Sequence, residues 1–301
     1  GIGTSTPLNT LTVYSSTANT SGLRLERLTS LSGASTGTTQ FLTVDENGDV
    51  VLATSTGGGA SLCTPTGSGT QNTCYGTGVL QANNAGDYNT GFGYNTLLSN
   101  FDGSQNTGFG FEALMSNTDA GGNTAFGMRA LRSNTTGQEN SAFGDYALWT
   151  NTTGQENVAV GGSTLRANTT GSYNSALGNF ALDNNTIGSQ NTATGYFALT
   201  NNTTGSRNVA NGYNALYQMF SGDDNVAIGY NAGSNLLGGN VSNIAIGANT
   251  DLPDIAGSYQ LNIANLIFAT NTSGTVSAPV GYVGIGTSTP LNTLTVYSST
   301  A

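Results

Sequence analysis

The chain has 301 residues, of which 7% are charged and 44 are Gly; it has no His, and its net charge is −10. The basic residues are Arg24, Arg27, Arg129, Arg132, Arg166 and Arg207, too few and too dispersed for the basic footprint of a nucleic-acid binder. No apolar run reaches the length of a membrane span, and with two Cys and no His neither a structural metal site nor a cofactor is expected. The sequence opens GIGTST with no Met and no signal peptide, which reads as a piece of something longer or a processed chain.

Residues 1–54 read as a strand-rich module. Its clearest element is FLTVDENGDVVLA, Phe41 to Ala53, where Asn47-Gly48 separates two alternating apolar arms and predicts a β-hairpin. The acidic DENGD also faintly resembles a calcium loop, but it lacks EF-hand spacing and the hairpin accounts for it. Residues 55–82 form a Gly/Thr/Ser-rich connector that carries both cysteines. Cys63 and Cys74 bracket CTPTGSGTQNTC, a turn-rich loop that closes easily, so an intrachain disulfide in an oxidising, extracellular setting is expected.

Residues 83–250 carry a strict repeat. Asn89, Asn106, Asn123, Asn140, Asn157, Asn174, Asn191, Asn208 and Asn225 fall 17 residues apart, and Asn243 follows after one extra residue. A Gly stands four residues after each: Gly93, Gly110, Gly127, Gly144, Gly161, Gly178, Gly195, Gly212, Gly229 and Gly247. The copy NSAFGDYALWTNTTGQE, residues 140–156, shows the whole unit. Seventeen residues bury no core alone, so the period predicts an all-β fold: a parallel β-solenoid, or β-roll, of about ten stacked 17-residue coils with flanking β-hairpin modules. One strand spacing of about 4.8 Å per coil would make it roughly 45 Å long.

Each column has an expected role. Leu97, Leu114, Leu131, Leu148, Leu165, Leu182, Leu199 and Leu216 form one apolar file. Phe92, Phe109, Phe126 and Phe143 start a second, continued by Val160, Leu177, Ile228 and Ile246, with its burial weakened at Thr194 and Asn211. Ala125, Ala142, Ala159, Ala176, Ala193, Ala210, Ala227 and Ala245 fall on the opposite strand face and permit a close backbone approach, either across the coil or across a subunit interface. The Asn anchors read as turn-formers rather than ligands, stacked as a ladder of amides. The NTTG stretch reads as the turn, with Asn and Gly supplying positive φ. One helical turn at A-L-x-x-N is conceivable, but the density of Gly, Thr and Asn argues against it. No Pro falls between Val79 and Pro253, as a fully bonded ladder requires.

Residues 251–301 read as closing strands, LNIANLIFA and then TVSAPVGYVGIGT, followed by the start of another unit. The last eighteen residues repeat the first eighteen, GIGTSTPLNTLTVYSSTA, letter for letter. That duplication predicts a tandem array with a period of 283 residues whose units join head to tail.

The N-T-A-x-G-x-x-A-L-x-x-N-T-T-G repeat resembles the head repeats of YadA-like trimeric autotransporter adhesins and repeat regions of bacteriophage tail fibres. The VGIGTSTP segment, Val283 to Pro290, resembles the short motif between modules of such fibres. The 17-residue period is longer than that of the well-known adhesin head. The resemblance implies a parallel β-roll with three chains around one axis, hence a homotrimer; a single-stranded head-to-tail filament is the alternative.

The functional expectation is a structural repeat unit of an extracellular or cell-surface fibre, a virion fibre included, whose partners are copies of itself. Adhesion to a surface receptor or glycan through solenoid loops is the second reading. Its best candidate is YQMFSGDD, Tyr217 to Asp224, where Met219 and Phe220 replace the usual NT and either tuck inward or mark an interface. Ice or surface binding through Thr135-Thr136, Thr152-Thr153, Thr169-Thr170 and Thr203-Thr204 ranks third, since Asp119 and Ile187 break that file. Catalysis is not expected. The acids are scattered, Glu139 and Glu156 in equivalent positions of adjacent coils read as solvated turn residues, and there is no GxSxG or P-loop.

Overall fold

The structure is a computed structural model. It describes the backbone of residues 40–44, 50–54, 69, 71–270, 274–275, 278–279, 282–289 and 294–296, and the side chains of 69, 71–270 and 282–289. The chain divides into two compact units, residues 1–58 and 59–301. In the first, β1 (Gln40–Val44) pairs antiparallel with β2 (Val50–Thr54), with Leu42 opposite Leu52, as the hairpin reading requires. The Asn47-Gly48 turn and the DENGD reading lie outside the described residues.

The second unit is a stack of parallel coils, each contributing one three-residue strand. In order they are β3 (Thr73–Tyr75), β4 (Thr90–Phe92), β5 (Thr107–Phe109), β6 (Thr124–Phe126), β7 (Ser141–Phe143), β8 (Val158–Val160), β9 (Ser175–Leu177), β10 (Thr192–Thr194), β11 (Val209–Asn211), β12 (Val226–Ile228), β13 (Ile244–Ile246) and β14 (Leu261–Ile263). Each pairs in parallel with the next at the 17-residue offset, Thr124 with Ser141 and Ser141 with Val158; from β12 to β13 the offset is 18 and absorbs the inserted residue. Eleven steps at about 4.8 Å give a stack roughly 53 Å long. The stack reaches back one coil before Asn89, to Asn72 and β3, so Cys74 sits in it, buried on β3. Cys63 lies outside the described residues.

A three-residue strand has no stability of its own; its hydrogen bonds go to the coils above and below. The amide of Ser141 donates to the Asn157 carbonyl, that of Gly144 to the Phe126 carbonyl, and that of Leu148 to the Thr164 carbonyl. The A-L stretch is not helical, because handedness alternates there. Tyr146 has φ +59° and Leu148 has φ +52°, and every Leu of that file sits in the left-handed region at φ 51–53°. Such a conformation costs a bulky L-residue about 1–3 kcal/mol and persists only where packing fixes it.

With the anchor Asn as position 1, the inward side chains are positions 1, 3, 8, 9 and 12. The Leu file at position 9 is buried throughout, together with the Ala column at position 3 and the Ala or Thr at position 8. The close approach at position 3 is made across the interior of the coils. A Cβ added at Gly108 would stand 2.5 Å from Cγ2 of Thr96, at position 8 of the preceding coil, so beside that Thr even Ala is crowded and the column admits only small side chains.

Two expectations change. The Phe file at position 4 faces outward instead of forming a second core file: Phe126 is 37% and Phe143 40% exposed. With Ala on the inner face of a three-residue strand, the larger residues on either side of it point out. Positive φ is supplied by the Gly at position 5 and by positions 7, 9 and 17, whereas the NTTG glycines from Gly137 to Gly205 do not adopt it. Those glycines answer to space: a Cβ at Gly154 would meet Oδ1 of Asn151 at 2.5 Å.

The closing segment is also more folded than two long strands. LNIANLIFA is itself a hairpin, β14 and β15 (Ile267–Thr270), joined by Ala264, Asn265 and Leu266; Ala264 and Asn265 are both left-handed, as the centre of a primed turn needs, and the Leu266 amide closes it on the Ile263 carbonyl. β16 (Gly274–Thr275) and β17 (Ala278–Pro279) form a small antiparallel pair; β18 (Tyr282–Ile285) pairs antiparallel with β15, and β19 (Leu294–Val296) parallel with β18. Asn262 takes the Ala column's place on β14, buried, and caps the stack by donating to the Asp251 carbonyl and to Asn265 Oδ1.

Candidate functional site

The anchors Asn89 to Asn225 are all buried and form the expected amide ladder. Asn140 shows the pattern. Its Nδ2 donates to Asn123 Oδ1 at 3.2 Å and to the Gly154 carbonyl at 2.9 Å, and its Oδ1 accepts from the Asn157 backbone amide and Nδ2, both at 3.0 Å. Both amide groups are satisfied, and each coil is tied to its neighbours by side chain as well as backbone. The anchor glycines Gly93 to Gly229 follow each strand at φ +128° to +143°. At Gly144 an added Cβ would stand 2.5 Å from the Gly161 carbonyl oxygen. The anchors therefore build the scaffold and have no side-chain capacity left for a ligand.

A second ladder runs inside the coils at position 12, from Asn83 to Asn202. Asn151 Nδ2 donates to Asn134 Oδ1 at 2.8 Å and to the Gly154 carbonyl at 2.9 Å. The sequence reads this Asn as part of the NTTG turn. Its signal was present in the fixed offset of three to the Gly at position 15, whose carbonyl receives both ladders. The ladder ends where Met219 and then Leu236 take position 12, both buried. Asn202 Oδ1 is left buried with no hydrogen-bond partner, because the side chain above it has no donor.

With the interior committed to stacking, function falls to the outer faces. On the sheet face Tyr75, Phe92, Phe109, Phe126 and Phe143 stack coil upon coil, with centroids 4.7–6.2 Å apart. Val160, Leu177, Ile228 and Ile246 continue the file; Leu177 and Ile228 are exposed. Tyr196, Tyr213 and Tyr230 make a second stacked row at position 6. Single exposed apolar residues need no explanation, but an apolar file running from Tyr75 to Leu177 on a parallel sheet, before Thr194 and Asn211 interrupt it, does.

Charged groups pair between adjacent coils. Glu112 accepts from Arg132 Nε at 2.7 Å and Arg129 Nε at 3.0 Å, while Arg129 lies over the rings of Phe111 and Tyr146. Arg166 meets Asp183, and Arg207 meets Asp223 and Asp224. Burial works to raise the Glu112 pKa, but the hydrogen bonds and charges of Arg132 and Arg129 prevail and hold it below the usual carboxylate range. Asp224 is lowered likewise, by its hydrogen bond to Arg207. A carboxylate with a depressed folded pKa contributes stability above its unfolded pKa, about 4.3 for Glu, and loses it as pH falls through the folded value. Thermal unfolding should therefore show a midpoint that declines below about pH 4, less steeply in Glu112→Gln. An identical acid profile in that variant would count against the pair.

The Thr pairs are not a free rank of hydroxyls. The first Thr of each donates to a main-chain oxygen one coil on, as Thr152 does to Thr169 at 3.0 Å. Glu139 and Glu156 stay exposed in neighbouring coils. At YQMFSGDD the two expected alternatives divide: Met219 tucks inward and Phe220 is 52% exposed. Among the described residues no group of three or more His, Cys, Asp or Glu is placed to hold a metal ion, and no helix is long and apolar enough to cross a membrane. Comparison with models of protein families, with curated proteins and with solved structures finds no match.

Proposed function

We propose that the chain is a structural repeat module of an extracellular fibre built of tandem units, acting by binding rather than catalysis. The observation that carries this reading is the division of labour within each coil. Inward groups bond the next coil through two asparagine ladders, while an apolar file of stacked rings and aliphatic side chains is presented outward along the sheet. The natural partner for that file is another copy of the chain, in a homotrimer first and a single-stranded head-to-tail filament second. The duplicated eighteen residues support the tandem arrangement. The sparse, mostly acidic charge suits an exported fibre, and we include an intrachain Cys63–Cys74 bond, which an oxidising setting sustains. Peptide mapping without reduction should recover the two cysteines linked within one chain; free thiols or a link between chains would remove that element.

The assembly is tested by sedimentation of the wild-type chain beside Phe109→Asp. A single carboxylate in the middle of the file would be buried unpaired in any assembly that covers it, costing about 2 kcal/mol or more per subunit, so the variant should shift toward monomer at concentrations where the wild type associates. Phe109 is half-buried at the surface of its own chain, so the variant's own fold should persist. A wild-type chain that stays monomeric at high concentration would sink the self-assembly reading.

A further inference from the structure

The coils repeat so regularly that their departures stand out, and several converge on one flank. The 17-residue register takes its extra residue in the coil that begins at Asn225. There and in the coil before it, the position-12 ladder gives way to Met219 and Leu236, leaving Asn202 Oδ1 unpaired. Position 13, Thr in the six coils from Thr118 to Thr203, becomes Phe220 and then Leu237, both exposed. Position 11, which is Ser, Thr or Ala from Ala82 to Ala167, becomes Asn184, Asn201 and Gln218. Positions 11 and 13 flank the inward-pointing position 12, so both rows look outward and enclose an open groove of about 670 Å³.

The groove is ordered. Asn201 Nδ2 donates to the Tyr217 carbonyl at 2.8 Å, and its Oδ1 accepts from Asn184 Nδ2 at 3.4 Å, so this amide is held in one orientation. The ring of Phe220 occupies the space a side chain at Gly238 would take, since a Cβ there would lie 2.6 Å from Cδ2 of the ring. The glycine thus seats the ring against the backbone and leaves the rest of it to solvent. No charged residue lines the groove.

We propose that this groove binds a neutral carbohydrate chain. Vicinal sugar hydroxyls are donor and acceptor at once, and the amides of Asn184, Asn201 and Gln218 offer both functions in a row repeating at about 4.8 Å. The apolar C–H face of a sugar ring matches the exposed ring of Phe220 with Leu237 beside it. An ionic ligand would find no counter-charge in this lining, and a peptide strand would need a free sheet edge, whereas here the backbone groups bond coil to coil, as the amides of Thr186 and Thr203 do to the carbonyls of Thr203 and Phe220. The groove is shallow and open, so one site binds weakly. Tandem copies on a fibre multiply weak sites into useful avidity, and in that respect the proposal rests on the fibre reading.

The test is an array of neutral, sialylated and sulfated glycans probed with the full chain, followed by NMR titration with cellotetraose and N,N′,N″,N‴-tetraacetylchitotetraose. Neutral glycans should bind selectively. Phe220→Ala should weaken binding about tenfold and Gln218→Ala should also weaken it, while the melting midpoint and sedimentation of both variants stay those of the wild type. No neutral glycan bound, selectivity for the acidic glycans, or unchanged binding in Phe220→Ala would each overturn the proposal. Sedimentation of Phe109→Asp reads the fibre hypothesis on a different column, none of whose residues lines the groove, so the two can fail separately.

Discussion

Leu148→Asp should open the stack locally, and at large cost. Leu148 is fully buried, and its removal from water contributes roughly 1.5–3 kcal/mol. A carboxylate in its place has no partner among the buried Ala and Leu around it, which adds several kcal/mol. One effect runs the other way: Leu148 sits at φ +52°, a conformation Asp tolerates better than Leu, returning about 1 kcal/mol at most. Burial wins by a wide margin, for a net loss above about 4 kcal/mol. Because each coil contacts only its neighbours, amide exchange should accelerate around residues 131–165 while the end coils stay protected. A variant that melted and exchanged like the parent would mean that the Leu file is not the core.

Asn140→Ala is the second large effect, through unsatisfied polar groups instead of lost apolar area. It strands the Asn157 backbone amide, which donates to Asn140 Oδ1, and removes three further ladder hydrogen bonds, to Asn123 Oδ1, to the Gly154 carbonyl, which keeps Asn151 Nδ2, and from Asn157 Nδ2. The buried orphan costs about 1–3 kcal/mol and the other lost bonds add about 0.5–1 kcal/mol each, so a loss of roughly 2–5 kcal/mol is expected in denaturant unfolding. Thr153→Ala, on the exposed corner of the same coil, should stay within about 0.5 kcal/mol of wild type. Equal stability of the two variants would show that the amide ladder contributes nothing.

The contrast between these residues marks what the sequence could disclose. The 17-residue register disclosed the solenoid because stacked coils must repeat whatever touches their neighbours, and Leu148 and Asn140 both do. The facing of the strands was harder to read. In S-A-F both the Ala and the Phe fit a buried column, and general hydrophobicity favours placing Phe143 inside. What decides it is the thickness of the coil: position 3 meets the position-8 side chain of the preceding coil, as Gly108 meets Thr96, and only Gly, Ala or Cys fits. That distance is tertiary and has no local signature. The same holds for Asn151, whose NTTG context looks like a surface turn until Asn134 and Asn168 are placed directly below and above it. The first coil was hidden because Tyr75, Thr77 and Val79 replace the commonest letters of the repeat, although Asn72, Gly76, Leu80 and Gly86 keep its frame. The groove was half legible: Phe220 stood out as an irregularity, but the row Asn184, Asn201 and Gln218 becomes a row only once the coils are stacked.

The central claim is that the sequence period is the spatial period, with one coil and one strand spacing for every 17 residues. Distances between spin labels test it most directly. With one label at Thr90 and the second in turn at Ser175, Thr192, Val209 and Val226, all at position 2, the backbone separations should be roughly 24, 29, 34 and 38 Å, a constant step of about 4.8 Å. Separations that level off, fold back or scatter along this series would contradict the stack and the surfaces built on it.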